Sequence, residues 1–192
     1  KEKIYDSNYD ENLLTGCLTI IDTNLNNISI ESDHSHCEDA LNIVRSKGSI
    51  NKLNLKNSQF DLVDFDFSDI KINKAVLSNS KNDCLDFSYG NYFIEEITAS
   101  DCKDKALSVG EKSILKVNNF KGFQNNLDIA IKDSSEIHLN NFSSDKTSDE
   151  NCISIYKKKQ EFDGGTLSLN KKVFECIINK DLYSKVILNA KK

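Results

Sequence analysis

The stretch Asp61-Leu62-Val63-Asp64-Phe65 returns 22 residues later as Asp83-Cys84-Leu85-Asp86-Phe87. Apolar and polar residues alternate in both copies, which is the period of a β-strand with one buried face. The spacing extends along the chain in two apolar columns: Leu41, Val63, Leu85, Leu107 and Ile129, and Ile43, Phe65, Phe87, Val109 and Ile131. Repetition of one strand unit at a fixed period is typical of a solenoid.

A second apolar cluster follows the alternating strand in each repeat. Its first copies are Ile50, Leu53 and Leu55, then Ile72, Ala75 and Leu77, then Ile94, Ile97 and Ala99. Two or three short strands per repeat, each bonded to the same strand of the next repeat at about 4.8 Å, would build a β-helix. We therefore predict an all-β fold, a right-handed parallel β-helix of about seven coils of 22 residues.

A leucine-rich repeat is the alternative fold, because its period also covers 22 residues. The segment Ile50-x-x-Leu53-x-Leu55 fits the strand signature of that repeat. The other half of each copy is an alternating strand without a helical pattern, which favours the β-helix.

The repeat also sets the predicted domain boundaries. We expect an N-terminal cap or leader in residues 1–16, the β-helix domain in 17–170 and a C-terminal cap in 171–192. A solenoid needs such caps to cover its terminal apolar layers. The apolar residues of the last segment suit either a final strand pair or a helix.

Composition narrows the range of partners. The chain is 38% hydrophobic and 29% charged, as in a folded domain, and its net charge of -5 disfavours a nucleic-acid partner. No apolar run approaches the ~18 residues of a membrane span, so we expect no span in this chain. Since the sequence contains no Met, we interpret it as part of a larger chain with other domains, secreted or at the cell surface.

The six cysteines follow the repeat and include no Cys-x-x-Cys pair, so a zinc ribbon has no support. We expect buried free thiols that pack as small apolar groups. The even number leaves disulfides open for a secreted protein. No cofactor is required on this interpretation.

Two polar columns are expected at the corners of the coils. Asn57, Asn79 and Asp101 share the 22-residue spacing and suit tight turns, because short amides and carboxylates tolerate left-handed backbone angles. Asp39, Asp61 and Asp83 form the second column, which Lys105 interrupts. We expect its carboxylates to accept backbone N–H groups of the turns.

The candidate site lies between the inward-pointing columns. If those columns are buried, Asp64, Asp66 and Asp86 face outward together on adjacent coils. Neighbouring carboxylates repel each other, raise each other's pKa and attract a cation, so a calcium site at these three residues is one prediction. A hydrated acidic patch is the alternative.

Four further residues are ligand-binding candidates beside the three aspartates. Lys105 or Lys132 could serve as a base, and Tyr89 and Tyr92 could form an aromatic wall. A base together with a calcium ion would allow a lyase reaction, which removes a proton next to a carboxylate.

The stacked strands resemble the pectin-lyase-like superfamily of right-handed β-helices over about residues 17–170. Asn82-Asp83-Cys84-Leu85-Asp86 is similar to the Asn-x-Asp-Gly-x-Asp stretch of polygalacturonases, with Cys84 in place of Gly. Asp104-Lys105-Ala106-Leu107 resembles their Asp-Asp-Cys segment, but Lys105 replaces the second acid. Asn126-Leu127-Asp128 lacks their Gly-His-Gly, and Arg45 is the sole arginine, so no Arg-Ile-Lys element exists. The resemblance implies the fold and a site on the outer strand face, and their hydrolase activity is not carried over.

These observations lead to two functional hypotheses. The first is a carbohydrate-associated β-helix module of a larger surface or secreted bacterial-type protein, which binds or modifies a polysaccharide on the acidic strand face. The second is a non-catalytic structural or adhesion rod that contacts other proteins. The fold does not choose between them, and whether the chain is an enzyme stays open.

Overall fold

The computed structural model describes residues 14–170 and 175–188. All its regular elements are β-strands, stacked in parallel as one sheet that winds through about eight turns at ~22-residue spacing. In chain order they are β1 (Gly16–Ile21), β2 (Asn24–Ser35), β3 (Asp39–Val44), β4 (Lys47–Ser58), β5 (Asp61–Ser80), β6 (Leu85–Cys102), β7 (Lys105–Gly110), β8 (Ile114–Phe123), β9 (Leu127–Lys132), β10 (Glu136–Ser144), β11 (Asn151–Tyr156), β12 (Thr166–Leu169), β13 (Ile177–Lys180) and β14 (Lys185–Leu188).

The right-handed parallel β-helix is therefore confirmed, with about eight coils where the sequence suggested seven. The described ranges contain no helix, which rules out the leucine-rich repeat. For the same ranges, no helix is long and apolar enough to cross a membrane.

Each coil contributes a first run and a second run of strand. The first run consists of β1, β3, β7, β9, β11, β13 and the opening residues of β5 and β6, and the second run contains the rest. In the first run Val63 pairs with Leu41 on one side and with Leu85 on the other. All three side chains are fully buried, so the alternation places an apolar residue at the same inner position of each of these three coils.

Aromatic rings stack along the axis of the core. The rings of Phe65 and Phe87 lie in adjacent coils with centroids 5.3 Å apart and planes 8° apart. Tyr92 packs against Phe87 with a centroid distance of 4.5 Å. Such stacking follows from the repeat, because a coil spacing close to the thickness of a ring brings equivalent aromatics into contact.

Left-handed residues turn the chain at two corners of the coil. Asn57, Asn79 and Asp101 have φ angles of 63°, 55° and 56°, in agreement with the turn predicted for that column. A second left-handed column was not predicted, because its members share no chemical character. Its members, with φ angles from 45° to 55°, are Arg45, Phe67, Tyr89, Glu111 and Asp133.

The C-terminal segment continues the stack. Strand β13 pairs with β11 and β14 pairs with β12, both in parallel, so this part of the predicted cap forms a last strand pair. Residues 1–13, which make up most of the predicted N-terminal cap, and residues 171–174 lie outside the described residues. At the other end, Gly16 already belongs to β1.

The prediction of free thiols is wrong, since the six cysteines form three disulfides. The pairs are Cys17–Cys37, Cys84–Cys102 and Cys152–Cys176. In the central pair, Cys84 precedes β6 and Cys102 ends it, so the bond closes one coil on itself. The sequence left this pairing open because cysteines in different columns become neighbours only where the coil turns back on itself.

Removing the central disulfide should destabilise the fold. The double variant Cys84→Ala/Cys102→Ala opens a loop with a sequence separation of 18 residues. We expect its free energy of unfolding to fall by about 3 kcal/mol and its melting temperature by roughly 6–12 °C. Calorimetry of wild type and variant measures the difference. Alkylation of all six cysteines in unreduced wild-type protein would contradict the pairing.

Candidate functional site

The outer surface of the first run carries the candidate site, here called the acidic face. Asp64 and Asp86 are register partners on the neighbouring β5 and β6, and Asn42 precedes them in the same row. Asp66 lies two residues beyond Asp64 and pairs with Ser88. The structure thus brings Asp64, Asp66 and Asp86 together on one face of adjacent coils.

Asn42 links two of these carboxyl groups. Its Nδ2 atom donates to Asp64 Oδ2 at 3.4 Å and to Asp66 Oδ2 at 3.2 Å. The Asn42 side chain is itself buried, with 4% of its surface exposed. One amide thereby holds the two carboxyl groups beside each other at the bottom of the face.

Burial raises the pKa of all three aspartates on the acidic face. For Asp64 the pKa lies well above its usual range, because burial is reinforced by the neighbouring charge of Asp66. Burial also raises the pKa of Asp66, against the hydrogen bond from Asn42. The pKa of Asp86 is raised by burial too, although the positive charge of Lys132 partly offsets this. The acidic face therefore takes up protons at a higher pH than exposed aspartates do.

Lys132 lies along the face toward Asp86. Its side chain is 6% exposed, and its Nζ atom is 4.0 Å from Asp86 Oδ1. The Lys132 side chain passes over Gly110, where an added Cβ atom would come within 2.9 Å of the Lys132 Cε atom. Glycine at this position therefore makes room for the lysine. Of the two candidate bases, Lys132 is the one in contact with the central carboxylates.

The column of Asp39, Asp61 and Asp83 lies at the corner just before the acidic face. Asp61 Oδ1 accepts the backbone N–H of Asp83 at 2.7 Å, and Asp83 Oδ1 accepts that of Lys105 at 2.9 Å. The carboxylates bond turn N–H groups, as expected from the sequence. Lys105 ends the column with its Nζ atom 3.2 Å from Asp83 Oδ1 and a further bond to Asp104. Lys105 thus neutralises this corner.

Glu111 is the exception among the buried acids. It is 8% exposed, and burial alone would raise its pKa. The hydrogen bonds from Lys159 and Ser88 outweigh that effect and lower the pKa of Glu111. Ser88 Oγ donates to Glu111 Oε2 at 2.8 Å, and Lys159 Nζ pairs with Glu111 Oε1. Glu111, whose pKa is lowered, therefore lies next to aspartates whose pKa values are raised.

Lys159, the lysine that pairs with Glu111, belongs to the segment 157–163, which lies along the corner of the coils. Asp133 Oδ1 accepts the backbone N–H groups of Lys158 and Lys159 at 2.8 and 2.7 Å. Glu111 and Lys159 were not identified as site residues, because they are 48 positions apart and share no repeat column. The cluster of Lys157, Lys158 and Lys159 was the only signal for this contact.

An aromatic wall flanks the acidic face. The rings of Phe67 and Tyr89 stack at 4.8 Å with planes 7° apart, and Phe67 is 58% exposed. Phe162 meets the edge of Tyr89 at 6.4 Å. The left-handed backbone of Phe67 and Tyr89 turns both rings outward at the corner. Phe67 was missed because it continues the alternation of Val63 and Phe65, which predicts an inward side chain, and only the left-handed backbone at Phe67 turns it outward.

Tyr92 does not belong to this wall, contrary to the sequence-based interpretation. The side chain is 3% exposed and packs in the core. Its hydroxyl donates to the backbone oxygen of Tyr89 at 3.0 Å and accepts the N–H of Ser68 at 3.3 Å. Tyr92 thus ties the corner of one coil to the next, and Tyr89 remains as the wall residue that the sequence identified.

The described side chains of the acidic face are not arranged as a metal-binding site. Among the described residues, no group of three or more His, Cys, Asp or Glu side chains is arranged to hold a metal ion. The calcium site at Asp64, Asp66 and Asp86 therefore stays a prediction. In the structure Asn42 bonds Asp64 and Asp66, and the raised pKa of Asp64 reduces the repulsion between the neighbouring carboxyl groups.

Comparisons of the chain with protein-family models, curated proteins and solved structures return no match. The resemblance to the pectin-lyase-like superfamily is accordingly supported only for the parallel β-helix itself.

The raised pKa values predict that the fold loses stability as pH rises. Burial and the charge of Asp83 raise the pKa of Asp61 to about 8, and burial raises the pKa of Asp39 and of Asp83 to about 6. A folded state with raised pKa values binds more protons than the unfolded state. The stability that these groups contribute is complete below pH ~4 and is lost between about pH 4 and 8.

Asp61→Asn tests this pH dependence. The amide keeps the oxygen that accepts the Asp83 N–H but carries no charge. We expect the variant to melt at least ~3 °C above wild type at pH 8, the effect of about 1 kcal/mol in a domain of this size, and the gap to narrow at pH 4. Melting curves from pH 4 to 8 measure it. Equal slopes for wild type and variant would show that Asp61 titrates normally.

Proposed function

We propose that the chain is a carbohydrate-associated module that binds a polysaccharide on the acidic face. One observation carries this proposal: hydrogen-bonding carboxyl groups lie beside the stacked rings of Phe67, which is exposed, and Tyr89, which is half-buried. Flat rings offer apolar surface to the C–H faces of sugars, while carboxyl groups bond sugar hydroxyls as acceptors and, when protonated, as donors. Strand faces stacked at about 4.8 Å suit an extended ligand that crosses several coils.

The opposite pKa shifts of neighbouring carboxyl groups on the face also support a modifying activity. Breaking a glycosidic bond requires a proton donor and a base on either side of that bond. Asp64 and Asp86 have raised pKa values, which keep a proton available for donation at a higher pH, while the lowered pKa of Glu111 keeps it ionised and able to accept a proton. Environments that separate the pKa values of neighbouring carboxyl groups are a feature of acid–base sites.

The disulfides support a secreted or cell-surface location. Three disulfide bonds persist in oxidising compartments and are rare in a reducing cytosol. A rod that carries its ligand face on rigid strands would serve as one module of a larger surface protein.

Calorimetric titration of the full chain tests the proposal. Calcium is titrated first, followed by a panel of neutral and acidic glycans, into wild type and Asp64→Asn/Asp86→Asn. We expect saturable binding of a glycan and a loss of about tenfold or more in the variant, because an amide carries neither the charge nor the acidic proton of the carboxyl group that it replaces. Saturable calcium binding that the variant lacks would support the metal site as well.

Glu96→Gln is the matched control, since Glu96 is an exposed acid on the second run, away from the acidic face. Its affinity should equal that of wild type. If no glycan binds to wild type, the proposal fails, and the structural or adhesion rod becomes the better account.

A further inference from the structure

A second groove lies on the outer surface of the second run. It has a volume of about 760 Å³, and its lining comes from β4, β5, β6, β8 and β10. This volume falls within the usual range of ligand sites. No residue of the acidic face lines this second-run groove, so the two surfaces are separate.

One row of side chains in the groove is rich in cations. Register pairs align Lys71 with Phe93, Phe93 with Lys116, and Lys116 with His138 on successive coils. Lys71 and Lys116 are therefore two coils apart, which is roughly 10 Å at the spacing of neighbouring strands. Phe93 lies between them, with the Lys71 Nζ atom 5.5 Å from the centre of its ring.

The acids of the groove already have partners. Asp69 Oδ1 accepts the backbone and side-chain N–H groups of Asn91 at 3.1 and 2.9 Å, and Asp69 also faces Lys47. The groove's other acid, Glu136, pairs with His138 at 3.0 Å.

The lysines of the row, in contrast, are uncompensated. Within the described part of the chain, no carboxylate pairs with Lys71 or Lys116, although both are exposed. Two positive charges thus remain available in the groove of a chain whose net charge is -5.

We propose that the second-run groove binds an anionic polysaccharide, with Lys71 and Lys116 each contacting one sulfate or carboxylate group. The distance between the two lysines is about the length of a disaccharide, so anionic groups on alternate sugars would meet both ammonium groups. Phe93, which lies between the two lysines, and Ile114, which is 38% exposed, provide apolar surface for the sugar rings.

The same features disfavour a nucleic acid. A nucleic-acid strand carries a phosphate about every 3.4 Å of helix axis, so about three phosphates would meet only two lysines and lie near the groove's acids. Because it rests on other residues, this proposal is independent of the function proposed for the acidic face.

Titration of dextran sulfate, polygalacturonate, unsubstituted dextran and single-stranded DNA into the 192-residue chain tests the proposal. We expect at least one polyanion to bind, binding to weaken with added salt, and dextran not to bind at this groove. The two polyanions distinguish sulfate from carboxylate as the recognised group. In Lys71→Gln/Lys116→Gln, affinity for the bound polyanion should fall about tenfold or more.

Two controls separate this site from general charge effects and from the acidic face. Lys121→Gln removes an exposed lysine of β8 outside the groove and should leave the affinity unchanged. Asp64→Asn/Asp86→Asn should also retain polyanion binding, whatever it does to ligands of the acidic face. Equal losses in Lys121→Gln and the double lysine variant would overturn the proposal, as would tighter binding of single-stranded DNA or no polyanion binding to wild type.

Discussion

The parallel stacking of equivalent strands determines which side chains become neighbours in this fold. The interior side chains of each coil lie next to the equivalent side chains of the coils above and below, as Val63 lies between Leu41 and Leu85. Outward side chains must then stack at the same spacing, whether or not that suits them. In a β-helix, residues that recur at the repeat length therefore contact each other in adjacent coils. Such contacts are favourable between phenylalanine rings and unfavourable between aspartate carboxylates, which repel each other.

The chain relieves the repulsion between stacked acids in three ways. Asn42 replaces an acid in the first outward row and bonds two carboxyl groups at once. Lys105 replaces one in the corner column and pairs with Asp83. In both rows, burial and neighbouring charge also raise the pKa values of the carboxyl groups, as for Asp64 and Asp61. The acidic face is thus less charged than its sequence suggests, which favours hydrogen bonding to a polar ligand over simple attraction of cations.

The same scaffold gives its two outer surfaces different electrostatic characters. On the acidic face the lysines contact carboxylates, as Lys132 contacts Asp86 and Lys159 contacts Glu111. In the second-run groove the two lining acids are the paired groups, and Lys71 and Lys116 stay open to solvent. Because strand register fixes each row, the spacing between like groups is a multiple of the coil spacing, and either surface is suited to a ligand that is itself a repeating polymer.

The 22-residue period and the alternation of apolar and polar residues were enough to predict the coil and the rows that run along it. Residues separated by one repeat length become neighbours in any parallel stack, which is why Asp64 and Asp86 were expected on a shared face. The contacts that cross columns emerge only in the folded chain: the disulfide partners, the inward position of Tyr92, and the approach of Lys159 to Glu111. Those contacts depend on where left-handed corners turn the chain and how the segment 157–163 lies over them, and neither leaves a periodic signal in the residues.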